Sequence, residues 1–125
     1  MKIAVCAGEK SGDALGYELL YDLNKNNKNI EIIGVGGSLM ESQGLKSFFP
    51  IKEISYMGLV DPLMNLNKIL KIRKNFINYL KKENPDIFIG IDSPSFNSGI
   101  CKALRKDTDI KTVQYCVSAV LGMAI

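Results

Sequence analysis

Short, nearly continuous apolar runs that alternate with stretches of helical periodicity constrain this chain more than any other feature. The clearest run covers residues 86–92, and similar runs cover residues 3–7 and 30–35. Between the runs, apolar residues recur at helical spacing, as Leu15 and Leu19 do. Strands that are apolar on both faces and alternate with helices are typical of a parallel sheet covered by helices. The sequence therefore predicts an α/β fold with a doubly wound parallel sheet.

The remaining elements follow from the same patterns. We predict a short helix near Leu39, a strand over residues 45–49 and a long helix over residues 63–82. The long helix is expected to end at Asn84, because the residue before a proline disfavours the helical region. The last helix is predicted over residues 98–106 and the last strand over residues 111–115. We expect Ser11 and Asp13 to satisfy free N–H groups at the start of the first helix.

Composition excludes several classes of protein. The 125 residues, 46% of them hydrophobic, fit one compact domain rather than a disordered chain. The chain has no histidine, which excludes Ser-His and Cys-His nucleophile pairs. Cys6, Cys101 and Cys116 are isolated, so neither a disulfide framework nor a zinc cluster is predicted, and no metal site is expected.

The net charge and the hydropathy pattern limit the possible partners and the cellular location of the protein. The net charge of +3 is too small to indicate a nucleic-acid partner. No apolar run approaches the ~20 residues that a transmembrane helix needs. The N-terminus also lacks the features of a secretory signal, so we expect a cytoplasmic protein.

The loop over residues 7–13, Ala-Gly-Glu-Lys-Ser-Gly-Asp, contains the residue types of a ligand site. Its glycines allow close backbone approach, and its polar side chains can contact a ligand bound at the end of a parallel strand. The loop lacks the Gly-Lys-Ser/Thr order of a P-loop and the GxGxxG pattern. A turn in which Ser11 or Asp13 caps the following helix explains the same residues.

Two further strand ends are candidates. Residues 34–37, Gly-Val-Gly-Gly, lack the acidic residue that a dinucleotide fold places there, which favours a glycine turn that lets the next helix pack closely. Asp92 follows the most buried strand, where a general base is placed. The alternative for Asp92 is a residue that only caps the turn at Ser93 and Pro94.

The segment 59–82 has a wide apolar arc and a cluster of lysines that includes Lys68, Lys71 and Lys74. Periodicity alone favours a core-facing helix with a solvated lysine face. An amphipathic basic helix that lies on an anionic membrane surface is the alternative.

Taken in order, these segments resemble the N-terminal part of the lipid-A-disaccharide synthase family. The shared residues are Gly8, Glu9, Ser11, Gly12 and Asp13, then Gly34-Val35-Gly36-Gly37 with Met40 and Gly44-Leu45, then Met57-Gly58, Lys71-Ile72-Arg73, Pro85-Asp86 and Gly90-Ile91-Asp92 with Pro94, Phe96 and Asn97. No single motif is specific, but the ordered set is.

The resemblance implies the N-terminal, acceptor-side half of a two-domain Rossmann-like glycosyltransferase of lipid A synthesis. Such an enzyme joins UDP-2,3-diacylglucosamine to 2,3-diacylglucosamine 1-phosphate through a β-1,6 bond, with inversion, and releases UDP. No cofactor is expected. The implied partners are the two acylated substrates and the cytoplasmic face of the inner membrane, where the protein is expected to be peripheral.

The resemblance also implies roles for individual residues. Asp92 and Glu9 are the expected catalytic residues, with Asp92 as the general base for the 6-hydroxyl of the acceptor. The expected substrate-binding positions are Gly8, Ser11, Gly12, Asp13, Gly36, Gly37, Met57, Gly58, Pro94 and Asn97. The expected membrane patch is Leu59, Val60, Leu63, Met64, Leu66, Ile69 and Leu70. For the segment 59–82, the resemblance thus favours the membrane-surface interpretation over the core-facing helix that periodicity alone favours.

The chain departs from the family pattern at Ser95, where many members have a second aspartate, at Asp61-Pro62, which replaces Glu-Val, and at Gln114, where the family has histidine. Residues 1–115 are the predicted domain, and residues 116–125 are predicted to be a divergent tail. Codons for Leu-Gly-Met-Ala in that tail, read one base later, can encode the Trp-Ala-Trp-Arg of the family. We therefore expect a frameshift near Tyr115; a divergent natural ending or a chosen boundary is the alternative.

Without the second domain, little of the UDP site is expected, so the isolated chain is predicted to be inactive. Two other functions fit the sequence. One is a free-standing Rossmann-like module that binds a nucleotide or phosphate through the loops at residues 8–13 and 34–37. The other is a membrane-surface protein that uses the segment 59–82.

Overall fold

Five parallel strands form one sheet in the computed structural model, which describes residues 1–27, 29–50 and 65–115. The strands are β1 (Lys2–Ala7), β2 (Glu31–Val35), β3 (Leu45–Ser47), β4 (Ile87–Ile91) and β5 (Lys111–Tyr115). The helices of the described residues are α1 (Lys10–Asn26), α2 (Ser38–Ser42), α3 (Leu66–Glu83) and α4 (Pro94–Asp107). The predicted α/β class with a parallel Rossmann-like sheet is confirmed.

The strand order places two strand ends side by side. The order is β3-β2-β1-β4-β5, so the chain runs outward from β1 in one direction and from β4 in the other. Ala7 at the end of β1 pairs with Ile91 at the end of β4. In open α/β sheets, ligands bind beyond the carboxyl ends of the strands at the point where the order reverses. We call the region beyond Ala7 and Ile91 the switch point.

Alternating side chains of the strands build a core on each face of the sheet. On one face, strand residues such as Ala4 and Val35 pack with Phe76 of α3 and Leu104 of α4. On the other face, the core contains Leu20 of α1 and Met40 of α2. The buried strand residues of this second core are Ile3, Val5, Ala7, Ile32, Leu45, Ile89 and Ile91. Burial on both faces explains why these strands read as continuous apolar runs.

The element bounds differ from the predictions by more than one residue at three places. α3 begins at Leu66 rather than at residue 63. β3 ends at Ser47 rather than at residue 49. α4 begins at Pro94 rather than near residue 98, because proline is favoured in the first helical turn, where its missing N–H has no helical partner. α3 ends as predicted, with Asn84 in the left-handed conformation (φ 50°) before Pro85.

The two described cysteines are part of the core. Cys6 and Cys101 are free and buried. Burial, with a smaller contribution from Cys101, raises the pKa of the Cys6 thiol far above its usual range. A thiol in this state is a poor nucleophile, so both cysteines act in packing. Cys116 lies outside the described residues.

None of the helices in the described part of the chain is long and apolar enough to cross a membrane.

Candidate functional site

Glu9 and Asp92 follow the two central strands, at the switch point. Glu9 comes two residues after β1, is exposed, and occupies the position before α1 with extended backbone (φ −142°, ψ 159°). Asp92 comes directly after β4. Since Ala7 and Ile91 are paired in register, these two carboxylates belong to adjacent loops. The structure therefore brings the two residues that sequence reasoning assigned to catalysis to the same end of the sheet.

Gly12 lets α1 pack directly on this end of the sheet. A Cβ at residue 12 would lie 3.1 Å from the Ala7 Cβ and 3.4 Å from the Ile91 carbonyl oxygen. The glycine is buried, so its close approach is to the ends of β1 and β4. Its predicted substrate contact stays a prediction. Ser11 is exposed in the first turn of α1, where a ligand at the switch point can reach it.

The backbone after β4 adopts a conformation that is rare outside glycine. Asp92 (φ 49°) and Ser93 (φ 45°) are both left-handed. The Asp92 N–H donates to the Tyr115 carbonyl oxygen at 2.8 Å. Asp92 Oδ1 is buried and has no hydrogen-bond partner among the described residues. No side chain caps the start of α4, so the interpretation of Asp92 as a turn cap is not supported.

The Asn97 side chain connects the ends of β1 and β4 by hydrogen bonds, beneath the turn at Asp92 and Ser93. Its side chain is 0% exposed, and its Nδ2 lies 2.7 Å from the Asp92 carbonyl oxygen and 3.2 Å from the Cys6 carbonyl oxygen. Gly90 makes room for it, because a Cβ at residue 90 would lie 2.7 Å from the Asn97 Cβ. In this arrangement the Asn97 side chain presents no surface to a substrate.

Asp13 has a structural role that the sequence did not predict. Its buried carboxylate accepts hydrogen bonds from the N–H groups of Gly37 (2.9 Å), Leu39 (3.1 Å) and Met40 (3.0 Å). These groups lie at the start of α2, which is a different helix from the one that carries Asp13. The expectation that Asp13 caps α1 is therefore wrong. The position before α1 is Glu9, which makes no capping hydrogen bond with its side chain.

Asp13→Ala is expected to lower the free energy of unfolding by about 3 kcal/mol, because three N–H groups of a partly buried turn lose a charged acceptor. Urea denaturation followed by circular dichroism measures the change. Asp22→Ala on the exposed side of the same helix is the matched control and should have little effect. Equal effects of the two substitutions would contradict the structural role of Asp13.

The glycine loop after β2 is used for packing. A Cβ at Gly37 would lie 2.4 Å from Asp13 Oδ2, and a Cβ at Gly36 would lie 2.6 Å from the Met40 sulfur. Three N–H groups at this loop, those of Gly37, Leu39 and Met40, already bond to Asp13. This supports the glycine-turn interpretation of the loop, and the predicted substrate contacts of Gly36 and Gly37 stay predictions.

Sequence reasoning missed Ser93. Its Oγ is buried and has no hydrogen-bond partner among the described residues, directly beside Asp92. A serine before an N-terminal proline suggests only an ordinary helix cap, whereas the left-handed backbone of Ser93 is incompatible with the extended conformation of such a cap. Pro94 follows it, exposed, as the first residue of α4.

The predicted membrane patch is described only in part. Leu66 (49%) and Leu70 (40%) are exposed on α3, while Ile69 is partly buried against the core. The predicted patch residues Leu59, Val60, Leu63 and Met64, and the predicted substrate contacts Met57 and Gly58, lie outside the described residues. The predicted tail, residues 116–125, also lies outside them.

No cluster of three histidine, cysteine, aspartate or glutamate side chains that could hold a metal ion occurs in residues 1–27, 29–50 and 65–115. The described site contains carboxylates and hydrogen-bonding groups. Asp92 Oδ1 is buried without a hydrogen-bond partner among the described residues, Glu9 is exposed, and the two residues follow the adjacent strands β4 and β1. This pairing suits a proton transfer to or from a bound substrate.

Comparison with known proteins gives consistent matches. The family model described as lipid-A-disaccharide synthetase matches residues 3–120. The lipid-A-disaccharide synthase of Pseudomonas fluorescens (strain Pf0-1) is 50% identical over 115 residues, and that of Idiomarina loihiensis is 46% identical over 114 residues. The synthase of Francisella philomiragia is 47% identical over 115 residues.

These alignments cover 91–92% of this chain and 30% of each relative. The chain thus spans about 30% of the length of the curated relatives it matches. The family-model match includes residues 116–120, the first part of the segment predicted to be a divergent tail.

Proposed function

The chain belongs to the lipid-A-disaccharide synthetase family, and on this premise we propose that it forms the acceptor-side part of an inverting glycosyltransferase. The proposed substrates are UDP-2,3-diacylglucosamine as donor and 2,3-diacylglucosamine 1-phosphate as acceptor. The observation that carries the proposal is the buried Asp92 Oδ1, which has no hydrogen-bond partner among the described residues, directly after β4 and beside the strand that leads to Glu9. A general base for a sugar hydroxyl needs this combination of an unpaired carboxylate and an open strand end.

In the proposed reaction, Asp92 takes the proton from the 6-hydroxyl of the acceptor. The hydroxyl oxygen attacks the anomeric carbon of the donor from the face opposite the diphosphate. The bond between the anomeric carbon and the diphosphate oxygen breaks, and UDP leaves with the bonding electrons. The product is a β-1,6-linked disaccharide with inverted configuration. Glu9 accepts a hydrogen bond from the acceptor sugar in this proposal and orients it.

We assign the UDP portion of the donor mainly to the part of the relatives that this chain does not align with. Glycosyl transfer requires that donor and acceptor are held against each other, and misplacement by ~1 Å can cost about 100-fold in rate. The chain by itself is therefore expected to show no detectable transfer.

The test compares this chain with a chimera in which its residues 1–115 replace the aligned part of the Pseudomonas fluorescens relative. Transfer is measured as formation of the disaccharide by mass spectrometry and release of UDP, with the unaltered relative as positive control. We expect turnover by the chimera and none by the 125-residue chain. A folded but inactive chimera would contradict the proposal, as would turnover by the chain alone. Tight binding of a free nucleotide by the chain would favour the phosphate-binding alternative.

We propose further that the protein is peripheral on the cytoplasmic face of the inner membrane, with α3 toward the lipid. Leu66, Leu70 and Lys74 follow one another at four-residue spacing, so they lie along one line of the helix. The two leucines are exposed, and so are Lys68, Lys71 and Lys74 of the same helix. Exposed apolar residues next to lysines suit an anionic lipid surface.

Reversing the charge of Lys68, Lys71 and Lys74 to glutamate is expected to weaken binding to vesicles that contain phosphatidylglycerol. Each lysine near such a surface contributes ~1 kcal/mol, so the triple reversal should weaken binding by more than about 100-fold. Vesicle sedimentation measures the effect. The matched control reverses three exposed lysines on other elements, Lys25, Lys46 and Lys111. Equal loss in both triple variants, or binding to neutral vesicles alone, would contradict the role of α3.

A further inference from the structure

The Asn97 side chain is engaged entirely through its nitrogen. An amide nitrogen carries two hydrogens, so its two shorter contacts, to the carbonyl oxygens of Asp92 (2.7 Å) and Cys6 (3.2 Å), account for both. The Ile91 carbonyl oxygen, at 3.4 Å, shares one of them. Asn97 Oδ1 is buried and has no partner among the described residues. Asn97 thus acts on its surroundings as a donor, and its main acceptor belongs to the residue that carries the proposed base.

Asp92 needs such a partner because its backbone is in a disfavoured conformation. Its φ of 49° is left-handed, which a residue with a Cβ adopts only where the surrounding structure holds it. The Asp92 N–H is held by the Tyr115 carbonyl oxygen at 2.8 Å. Its carbonyl oxygen is held by Asn97. The first hydrogen bond is to the main chain of β5, and the second is from the Asn97 side chain. A substitution at residue 97 can therefore remove the second hydrogen bond and leave the first.

The fold makes room for this side chain. Gly90 of β4 leaves space for Asn97, because a Cβ at residue 90 would collide with the Asn97 Cβ. The Asn97 N–H also donates to the Ser93 carbonyl oxygen at 3.0 Å, which closes the first turn of α4 under Ser93. Asn97 therefore contacts the end of β1, the end of β4 and the turn between β4 and α4. Its Nδ2 thereby links the Asp92 main chain to β1, the strand that leads to the loop carrying Glu9.

We propose that Asn97 is a positioning residue that holds the Asp92 main chain in its left-handed conformation and so directs the Asp92 carboxylate into the switch point. This inference rests on the proposed role of Asp92 as general base. It replaces the direct substrate contact that the family resemblance implies for Asn97, since a fully buried side chain offers the substrate no surface.

Asn97→Asp tests the proposal, because aspartate has nearly the same shape but carries one donor when protonated and none when ionised, in place of the two N–H donors of asparagine. In the 125-residue chain, the ¹³Cα chemical shifts of Asp92 and Ser93 report whether the left-handed backbone is kept, and we expect them to change. In the chimera, we expect kcat to fall about 100-fold while KM for the acceptor stays the same, because the base is misplaced but the substrate contacts remain.

The matched control is Asn24→Asp, since Asn24 Nδ2 also donates to a main-chain carbonyl oxygen, that of Gln43, at 2.9 Å and away from the switch point. In Asn24→Asp, neither the ¹³Cα shifts of Asp92 and Ser93 nor kcat of the chimera should change. Asn97→Ser is the second variant if Asn97→Asp does not fold; it keeps one donor on a shorter side chain and should give a smaller loss of kcat.

Unchanged Asp92 shifts in Asn97→Asp would overturn the proposal. So would changed shifts with unchanged kcat, or a rise in KM at constant kcat, which indicates direct substrate contact. An inactive wild-type chimera would count against the proposed function instead. In that case the chemical shifts in the chain still decide whether Asn97 holds Asp92.

Discussion

Asp92→Asn in the chimera is expected to lower kcat by about 10³-fold, because an amide cannot take the proton from the acceptor hydroxyl. Asparagine tolerates the left-handed backbone at least as well as aspartate does, so the turn (φ 49°) should keep its shape. The substitution therefore removes the proposed base and keeps the backbone conformation of the turn. The rate of UDP release at saturating acceptor measures the loss, and KM for the acceptor should change little.

Asp86→Asn is the matched control for this loss. Asp86 lies just before β4, at the opposite end of the strand, where its Oδ2 accepts a hydrogen bond from the Lys2 N–H at 2.8 Å. An amide oxygen can accept the same bond, so kcat should stay unchanged. If Asp92→Asn lowers kcat no more than Asp86→Asn does, Asp92 is not the base, and Glu9 becomes the first residue to examine.

Gly34→Ala is expected to abolish the fold of the chain. Gly34 lies within β2 at φ 137°, and a Cβ there would be 1.8 Å from the Val5 carbonyl oxygen of β1. Strands β1 and β2 would have to separate, which places the cost above about 4 kcal/mol, in the range of the most severe single substitutions. Loss of the far-UV circular dichroism signal, or of a cooperative urea transition, measures it.

Gly44→Ala separates the steric effect from the effect of positive φ. Gly44 has φ 97°, but nothing lies within 4 Å of the position of a Cβ. Its substitution carries only the conformational cost of ~1–2 kcal/mol. A protein that folds with alanine at residue 44 but not at residue 34 would confirm that contact with Val5 decides the outcome. Similar stability of the two variants would contradict this explanation.

The architecture was predictable because it depends on local patterns. Apolar runs such as residues 86–92 indicate strands buried on both faces, and leucines at helical spacing indicate the helices between them. The place of Asp92 and Glu9 followed as well, since parallel strands bring their carboxyl ends to one edge of the sheet. The positions of these residues follow from the order of strands and helices along the chain alone.

Other features depend on contacts between distant positions, and no local pattern indicates them. Asp13 bonds to N–H groups 24 to 27 residues further along the chain. Asn97 bonds to the Cys6 carbonyl oxygen, 91 residues away in sequence. A carboxylate near a helix start normally suggests a cap of its own helix, so the partner of Asp13 was assigned to the wrong helix. The left-handed conformation of Ser93 was equally hidden, because serine rarely adopts it.

The turn at Asp92 and Ser93 has a consequence for how this protein responds to selection. Two consecutive left-handed residues other than glycine reduce stability, each by ~1–2 kcal/mol. A glycine at either position would relieve that cost, and a glycine at residue 92 would also remove the carboxylate. Laboratory evolution for heat resistance alone should therefore accumulate glycine at this turn, and thermostable variants would lose transfer activity unless turnover is selected at the same time.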